Sequence, residues 1–464
     1  MNSRATENRM DPSYTQEDVM WPRGARAGFG FAPLVGRLRG EIDAQADLLG
    51  NSGALAAGAL ITAGMGFLYW WLAARYFPPH AVGLASAAIS LMNLIGLIGE
   101  VGLGTLLVGE TLRHPKQAPD LISGALVSAW ASSIICGLGY IALADLFPGT
   151  LGVFLAGKVD FTVLFVAGCG ITGFALVLDA VFAGLLRSAV QMYRHAAFSA
   201  LKLILLFVLP LIISSARGEI SIFSAWITGQ FLSILLLAAI LAARGQAVWH
   251  TPDFRVLRPL LPNVIGHHLL NVATQAPGFV LPILVTLILS PEVNAAFYAA
   301  WMMLNTVLLI PASLTTTLFT IGASDPATIT SRLKFSFLFC CFFSLVVEIG
   351  FVLCSDFVLG LFGSSYESIG GPTLRILGLS VLALTLKYHY VAVQRLRNRM
   401  MGASLLLGFA AGIEICFAFL GGRYGGLPGF AWGWVAAIYL EAAFAIPGLL
   451  SAAQFRLPKL HPGQ

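Results

Sequence analysis

The sequence predicts an all-α, polytopic membrane protein of about twelve transmembrane helices in two six-helix lobes. Three observations predict it. Of the 464 residues, 58% are hydrophobic and 11% charged, against about 25% charged in soluble domains. A soluble fold with that balance could not cover its own surface with polar groups. The charges that are present fall between long apolar runs. Finally, the second half repeats the pattern of the first at a shift of 212 residues.

About 20 apolar residues cross a bilayer as a helix, and twelve such runs are legible. The first six are Ala54–Phe77, Ala81–Val108, Leu121–Leu146, Phe161–Leu186, Ala196–Ser214 and Ile222–Ala242. The second six are Asn263–Leu289, Val293–Ile321, Leu333–Phe362, Leu374–Leu396, Met401–Leu420 and Leu427–Ala453. Glycine and proline inside them do not veto helix, since both are commoner in membrane helices. With the N-terminus inside, the inner segments hold 20 of the 27 Lys and Arg and the outer segments 5, with Lys202 and Lys387 within spans. That bias places both termini in the cytoplasm, and the expected location is a bacterial inner membrane.

The repeat aligns Asn51 with Asn263, Thr62 with Thr274, Gly66 with Gly278, Pro79 with Pro291, and Asn93 with Asn305. A shift of six helices gives both halves the same orientation, so they are related by an axis along the membrane normal. The expected organisation is a cytoplasmic tail (1–49), lobes at 50–245 and 261–455, a cytoplasmic linker at 246–260, and a short C-terminus at 456–464. The tail carries six Arg and seven acids. Its start is expected to be disordered, and Leu34, Leu38, Ile42 and Leu49 suggest a short interfacial helix. The first apolar run begins near Ser52, too late for a secretory signal peptide.

Several chemistries are excluded. Disorder needs low hydrophobicity and high charge. The six cysteines lie inside apolar runs without zinc spacing, so they read as packing residues. Apart from the tail, no connection is long enough for a folded extramembrane domain. The nearest P-loop match, Gly152 to Val159, ends in Val where magnesium needs Ser or Thr. Gly168-Cys-Gly-Ile-Thr-Gly173 matches a dinucleotide fingerprint, but it sits mid-span with no strand before it and reads as close helix packing. No cofactor, metal, nucleic-acid partner or enzymatic activity is expected.

Charges inside a membrane are costly and tend to face the bundle interior. Ser86, Ser90, Asn93, Glu100 and Gly104 follow one helical face of the second span. Asn263, His267, Asn271 and Gln275 step by four along the seventh, with Gly278 continuing the line. If the two hairpins face each other, the stripes line a hydrated cleft together with Asn305. Glu100 with His267 or His268 is then a candidate proton- or substrate-sensitive pair, because histidine beside a carboxylate titrates near physiological pH; a structural polar network is the plainer reading. Asp179 and Lys202, on helices of one hairpin, could neutralise each other. Lys387, Glu414 and Glu441 could do the same in the second lobe. Trp70, Trp71 and Tyr76 read as an interfacial belt.

The stretch from Gly66 to Glu110 carries a helix ending in Ala-Arg-Tyr, a Pro-Pro-x-x-Val-Gly turn, and a second helix closing with Gly102-Leu-Gly104. It resembles the first hairpin of the polysaccharide and lipid-linked oligosaccharide flippases. These belong to the multidrug/oligosaccharidyl-lipid/polysaccharide exporter superfamily. The resemblance implies alternating-access movement of a polyprenyl-linked oligosaccharide to the outer leaflet for cell-surface, exported or lipopolysaccharide glycan synthesis. H⁺ or Na⁺ would be the coupling ion, and polysaccharide polymerase or export proteins the partners. A pyrophosphate headgroup would then meet Lys202, Lys387 or the histidines His267 and His268 in depth and Arg187, Arg194 and Arg258 at the cytoplasmic mouth. No arginine lies mid-span, which suits instead a drug/cation antiporter of the same superfamily. A membrane glycosyltransferase or polymerase would need a larger outer loop.

Overall fold

The computed structural model describes residues 62–113, 117–143, 159–185, 187–212, 218–245, 250–257, 260, 264–324, 329–397 and 399–453. The tail helix, the start of the first span, the P-loop-like segment and Arg258 lie outside the described residues. All regular structure among the described residues is helical. In the first half, α1 covers 62–76, α2 Pro79–Gly99, α3 Leu103–Arg113, α4 Ala118–Leu143, α5 Val159–Gly184, α6 Ser188–Ile212 and α7 Glu219–Ala243. One short turn, α8 (Phe254–Leu257), precedes α9 (Ile265–Ile288), α10 (Pro291–Ser324), α11 (Ile329–Gly360), α12 (Ser364–Gly378), α13 (Ser380–Leu396) and α14 (Met400–Ala453).

Helices that are apolar all round suit a bilayer, where every backbone polar group must be satisfied within its own segment. Nine described helices are long and apolar enough to cross, and α12 with α13 makes a tenth span bent by 47°. At 54 residues α14 would be about 80 Å long if straight, far beyond a hydrocarbon core of about 30 Å. It is two spans. Gly425 and Gly426 leave helical geometry, and the arms fold back until Gly421 abuts Gly429 and Phe417 abuts Gly433. Counting α14 as two, the described residues hold eleven candidate crossings, and α1 is described over 62–76 only.

Three boundaries differ from expectation. The fifth span begins at Ser188 rather than Ala196, because Arg194 is buried against Asp179 instead of lying in a loop. Residues 364–378, whose Gly-Gly-Pro looks like a loop, form α12, and Arg375 ties it to Asp356 of α11. The second span is not continuous: it breaks between α2 and α3, where Val101 has φ 50° and Gly102 φ 73°. Only glycine fits at 102, since a Cβ there would lie 2.5 Å from Val264 and 2.7 Å from His268.

Each lobe packs mainly on itself. In the first, α4 packs on α5, α6 on α7, and α2 on α4, α5 and α7. In the second, α9 and α13 pack on α14, α11 on α12, and α10 on α12 and α13. The three glycines of the sequence fingerprint let α5 approach its neighbours: Gly168 faces Met92 and Ile227, Gly170 faces Ile134, and Gly173 faces Ser133.

The lobes meet through α2, which packs on α10 and α9. α2 and α10 are repeat equivalents, and each opens with proline in its first turn, where a missing N–H costs nothing. His80 and Glu292 are also equivalent positions, and they touch: Nδ1 lies 2.6 Å from Oε1. Contact between a residue and its own repeat mate is what a two-fold axis passing between them requires.

Candidate functional site

The end of the bundle bearing the Pro79 and Pro291 turns is sealed between the lobes. Gly83 makes the seal possible, because a Cβ there would sit 1.7 Å from the Pro291 carbonyl oxygen. Fully buried Asn294 donates from Nδ2 to the Gly83 carbonyl at 2.9 Å and to Ser86 Oγ at 3.0 Å. Beside them, Trp71 Nε1 donates to the Leu361 carbonyl at 2.8 Å, and Phe67 meets Phe362 edge-on at 5.1 Å.

Beneath the seal lies a cavity of about 420 Å³. Ser90 and Asn93 of α2 line it, with Gln275 and Gly278 of α9 and Asn305 of α10. The two sequence stripes therefore do share one cleft along part of their length, and the repeat-related Asn93 and Asn305 both reach it. Tyr298, Trp301, Tyr388 and Trp434 give it an aromatic wall beside Met302, Leu308 and Leu384, with the Trp301 and Trp434 rings edge to face at 4.9 Å. Such a surface suits flat or cationic organic groups.

One wall carries charge. Lys387 Nζ donates to Glu414 Oε1 at 2.9 Å and to Glu441 Oε2 at 3.0 Å. The second Glu414 oxygen accepts from Trp434 Nε1 at 2.9 Å. Lys387, Glu414 and Glu441 are all at least 95% buried, yet Lys387 and Glu414 border the cavity. When all three are ionised the cluster holds one carboxylate more than it holds ammonium. Glu441 Oε1 is buried without a hydrogen-bond partner, which leaves a position for a proton. The mutual neutralisation expected from the sequence is present, but placement beside the cavity gives these residues a prominence that sequence reading denied them. Trp434 lies two turns before Glu441 on the same helix, yet its indole N–H goes to Glu414 on the other arm, a pairing that spacing along the chain does not signal.

The other expected residues are more scattered. Glu100 sits at the α2–α3 break and its carboxylate takes up the Gly104 backbone N–H. His268 packs its Cβ against Gly102, and its Nδ1 is buried without a partner. Glu100 forms no ion pair with either histidine among the described residues. Asn271 instead donates to Thr105 Oγ1 at 3.0 Å and accepts from Arg395 at 3.4 Å, so it bridges the lobes at the end opposite the seal. His267 is half-buried on the same turn of α9.

Asp179 does not pair with Lys202. It accepts two bonds from Arg194 Nη2, at 2.7 and 2.6 Å, and lies 3.2 Å from His195. Arg194 is thus turned inward and spent on a carboxylate, while Arg187 is exposed. Lys202 is 3% exposed and has no carboxylate partner among the described residues. Its ammonium lies over Trp226 at 4.1 Å, Phe198 at 4.7 Å and Tyr69 at 5.0 Å. Trp70 belongs to this cluster rather than to an interfacial belt: it is buried against Tyr69, Trp226 and Tyr298. Among the described residues no group of three His, Cys, Asp or Glu is placed to hold a metal ion.

No protein-family model matches the sequence, and no curated protein matches it. Solved structures do match the fold. An inward-facing multidrug resistance MATE family transporter of the MOP superfamily aligns at a TM-score of 0.66 and 17% identity, over 85% of this chain and 95% of that one. A MATE transporter in complex with MaL6 aligns at 0.63 and 18% identity, over 87% and 96%. The Vibrio cholerae MATE transporter VcmN in the bent form aligns at 0.62 and 15% identity, over 88% and 98%. At such identities the likeness is one of fold: a polytopic, two-lobed helical membrane protein.

Proposed function

We propose that this chain exports organic cations by alternating access, driven by H⁺ or Na⁺ moving the opposite way. The observation that carries the reading is the Lys387–Glu414–Glu441 cluster on the wall of an aromatic cavity. One surplus carboxylate in a low-dielectric site can be neutralised by a coupling ion or by a cationic substrate, but not by both at once. That exclusion is the elementary requirement of an antiporter. A gradient supplies about 2.3 kcal/mol per charge per 100 mV. The volume, about 420 Å³, lies in the range of drug-sized ligands, and the solved structures of like fold include multidrug transporters. With the termini inside, as the distribution of Lys and Arg suggests, the sealed end is outer and the cavity loads from the cytoplasm.

The flippase reading rests on the Gly66–Glu110 hairpin. Electrostatics weigh against it. A pyrophosphate needs cationic partners, whereas Lys387 is already held between two carboxylates, Arg194 is bound to Asp179, and Lys202, though without a carboxylate among the described residues, lies against three aromatic rings and is not part of the cavity lining. With that reading the polymerase and export partners recede as well.

Both readings are tested in one set of proteoliposomes. With an imposed pH or sodium gradient, ethidium or tetraphenylphosphonium should move against its own gradient, and Glu414→Gln should abolish the movement. Lipid-linked oligosaccharide in the same vesicles should become no more accessible to an impermeant glycosidase than in protein-free vesicles. Increased glycan access without cation movement would reverse the assignment.

A further inference from the structure

A second cavity, of about 460 Å³, lies between α11, α13 and the second arm of α14. It is separate from the transport cavity and almost wholly apolar: Leu333, Phe337, Cys341, Leu386 and Leu449 contribute to its walls. The bilayer is what covers it, since Leu338 and Phe342, beside it on α11, are 68% and 67% exposed. Its floor includes His389, whose ring is fully engaged. Nδ1 donates to the Thr385 carbonyl at 2.8 Å, so Nε2 accepts from Ser336 Oγ at 3.0 Å. The floor therefore presents a neutral face to whatever fills the groove. From Leu333 to Cys341 the groove runs eight residues along α11, about 12 Å. At one end stands an exposed ammonium, Lys334, on the second turn of α11, where the helix nears the bilayer surface.

We propose that this groove is a binding site for a phospholipid with an anionic headgroup, its acyl chain in the groove and its phosphate on Lys334. An apolar slot facing lipid with one cation at headgroup level has the charge and shape of such a ligand; a zwitterionic lipid offers the same phosphate but also a fixed cation beside it, which cancels most of the attraction to Lys334. The site bears on transport through α13. Leu382, Leu386 and His389 face the groove, while Leu384, Lys387 and Tyr388 face the central cavity. The helix that carries the buried ammonium is thus the wall between the two chambers, and a lipid chain supports it from behind.

The experiment is native mass spectrometry of the full chain, released from detergent containing equal amounts of phosphatidylglycerol and phosphatidylcholine with matched chains. The wild type should retain one phosphatidylglycerol about fivefold in preference to phosphatidylcholine, the contribution of roughly one basic side chain at a membrane surface. Lys334→Glu should lose that molecule. Arg255→Glu, another exposed cation outside the groove, should keep it. Leu386→Trp should lose both lipids by filling the slot, and Cys341→Trp does the same from the opposite wall should Leu386→Trp fail to fold. Equal losses in Lys334→Glu and Arg255→Glu would mean general surface attraction and overturn the site. So would retention of the lipid by either groove-filling variant, or the absence of any preference in the wild type.

Discussion

Replacing Lys387 by methionine removes the ammonium shared by Glu414 and Glu441 and leaves two buried carboxylates facing each other. At an effective dielectric of about 20, each contact of 2.9–3.0 Å corresponds to roughly 5–6 kcal/mol of attraction before desolvation. Burial of three ions takes back much of that. Deleting one partner does not return the desolvation, so the expected net loss of stability is about 3–5 kcal/mol. Glu441→Gln is the opposite case. It leaves Lys387 and Glu414 as a neutral pair and alters a carboxylate whose second oxygen has no partner, so its cost should stay near or below ~1 kcal/mol. The triple variant Lys387→Met, Glu414→Gln, Glu441→Gln should recover most of the loss, because no ion remains to be compensated. The assay is reversible unfolding in mixed micelles on titration with sodium dodecyl sulfate, followed by tryptophan fluorescence. The order of stability should be wild type and Glu441→Gln, then the triple variant, then Lys387→Met. Finding Lys387→Met as stable as Glu441→Gln would refute the reasoning, since it would mean that the carboxylates need no counter-charge in the fold.

Three further outcomes follow from the packing. Asn294→Leu strips two hydrogen bonds from the seal, leaving the Gly83 carbonyl with Ser86 Oγ alone as its side-chain donor, and at about 0.5–1.5 kcal/mol per bond this is a bias toward opening of about 1–3 kcal/mol; a cysteine at Ser90, unreactive toward an impermeant maleimide added from outside, should become labelled in that background, and unchanged labelling would show that the seal does not depend on Asn294. Lys202→Met should be neutral or stabilising in the same unfolding assay, because cation–π contacts of up to about 2 kcal/mol do not cover the several kcal/mol of burying an ammonium without a carboxylate; a large loss of stability would point to a counter-charge beyond the described residues. Arg194→Met should lower the folded yield and stability by about 3–5 kcal/mol, with partial rescue by Asp179→Asn in the same chain, and failure of the second change to rescue would show that Arg194 matters for packing rather than for charge.

Much of the architecture was legible in the sequence, because a membrane imposes a one-dimensional code. A crossing needs about 20 apolar residues, so the apolar runs located the spans, and the 212-residue shift meant two parallel lobes. The meeting of His80 with Glu292 is the physical form of that shift. The cavity was partly legible, since Ser90, Asn93, Gln275 and Gly278 follow helical spacing and do line one cleft. The break at Glu100 was hidden, because hydropathy stays high through Val101 and Gly102 while the backbone turns left-handed there. The aromatic wall was hidden as well, since Trp70, Trp301 and Trp434 look alike in a sequence whether they face lipid, core or cavity.

What the sequence determined by itself was the class of molecule, the position of its spans along the chain and their pairing by symmetry, all of which follow from local composition and a repeat. The tertiary structure alone decided which charge met which. Asp179 lies 15 residues from Arg194 and 23 from Lys202, and spacing favours neither partner. The arginine turns in to make a two-pronged bond, and the lysine lies among three aromatic rings. Lys387, Glu414 and Glu441 come from three spans and converge only because those spans pack together. Electrostatic partnership in a low dielectric depends on separations of a few ångströms in three dimensions, and that distance is not written along the chain.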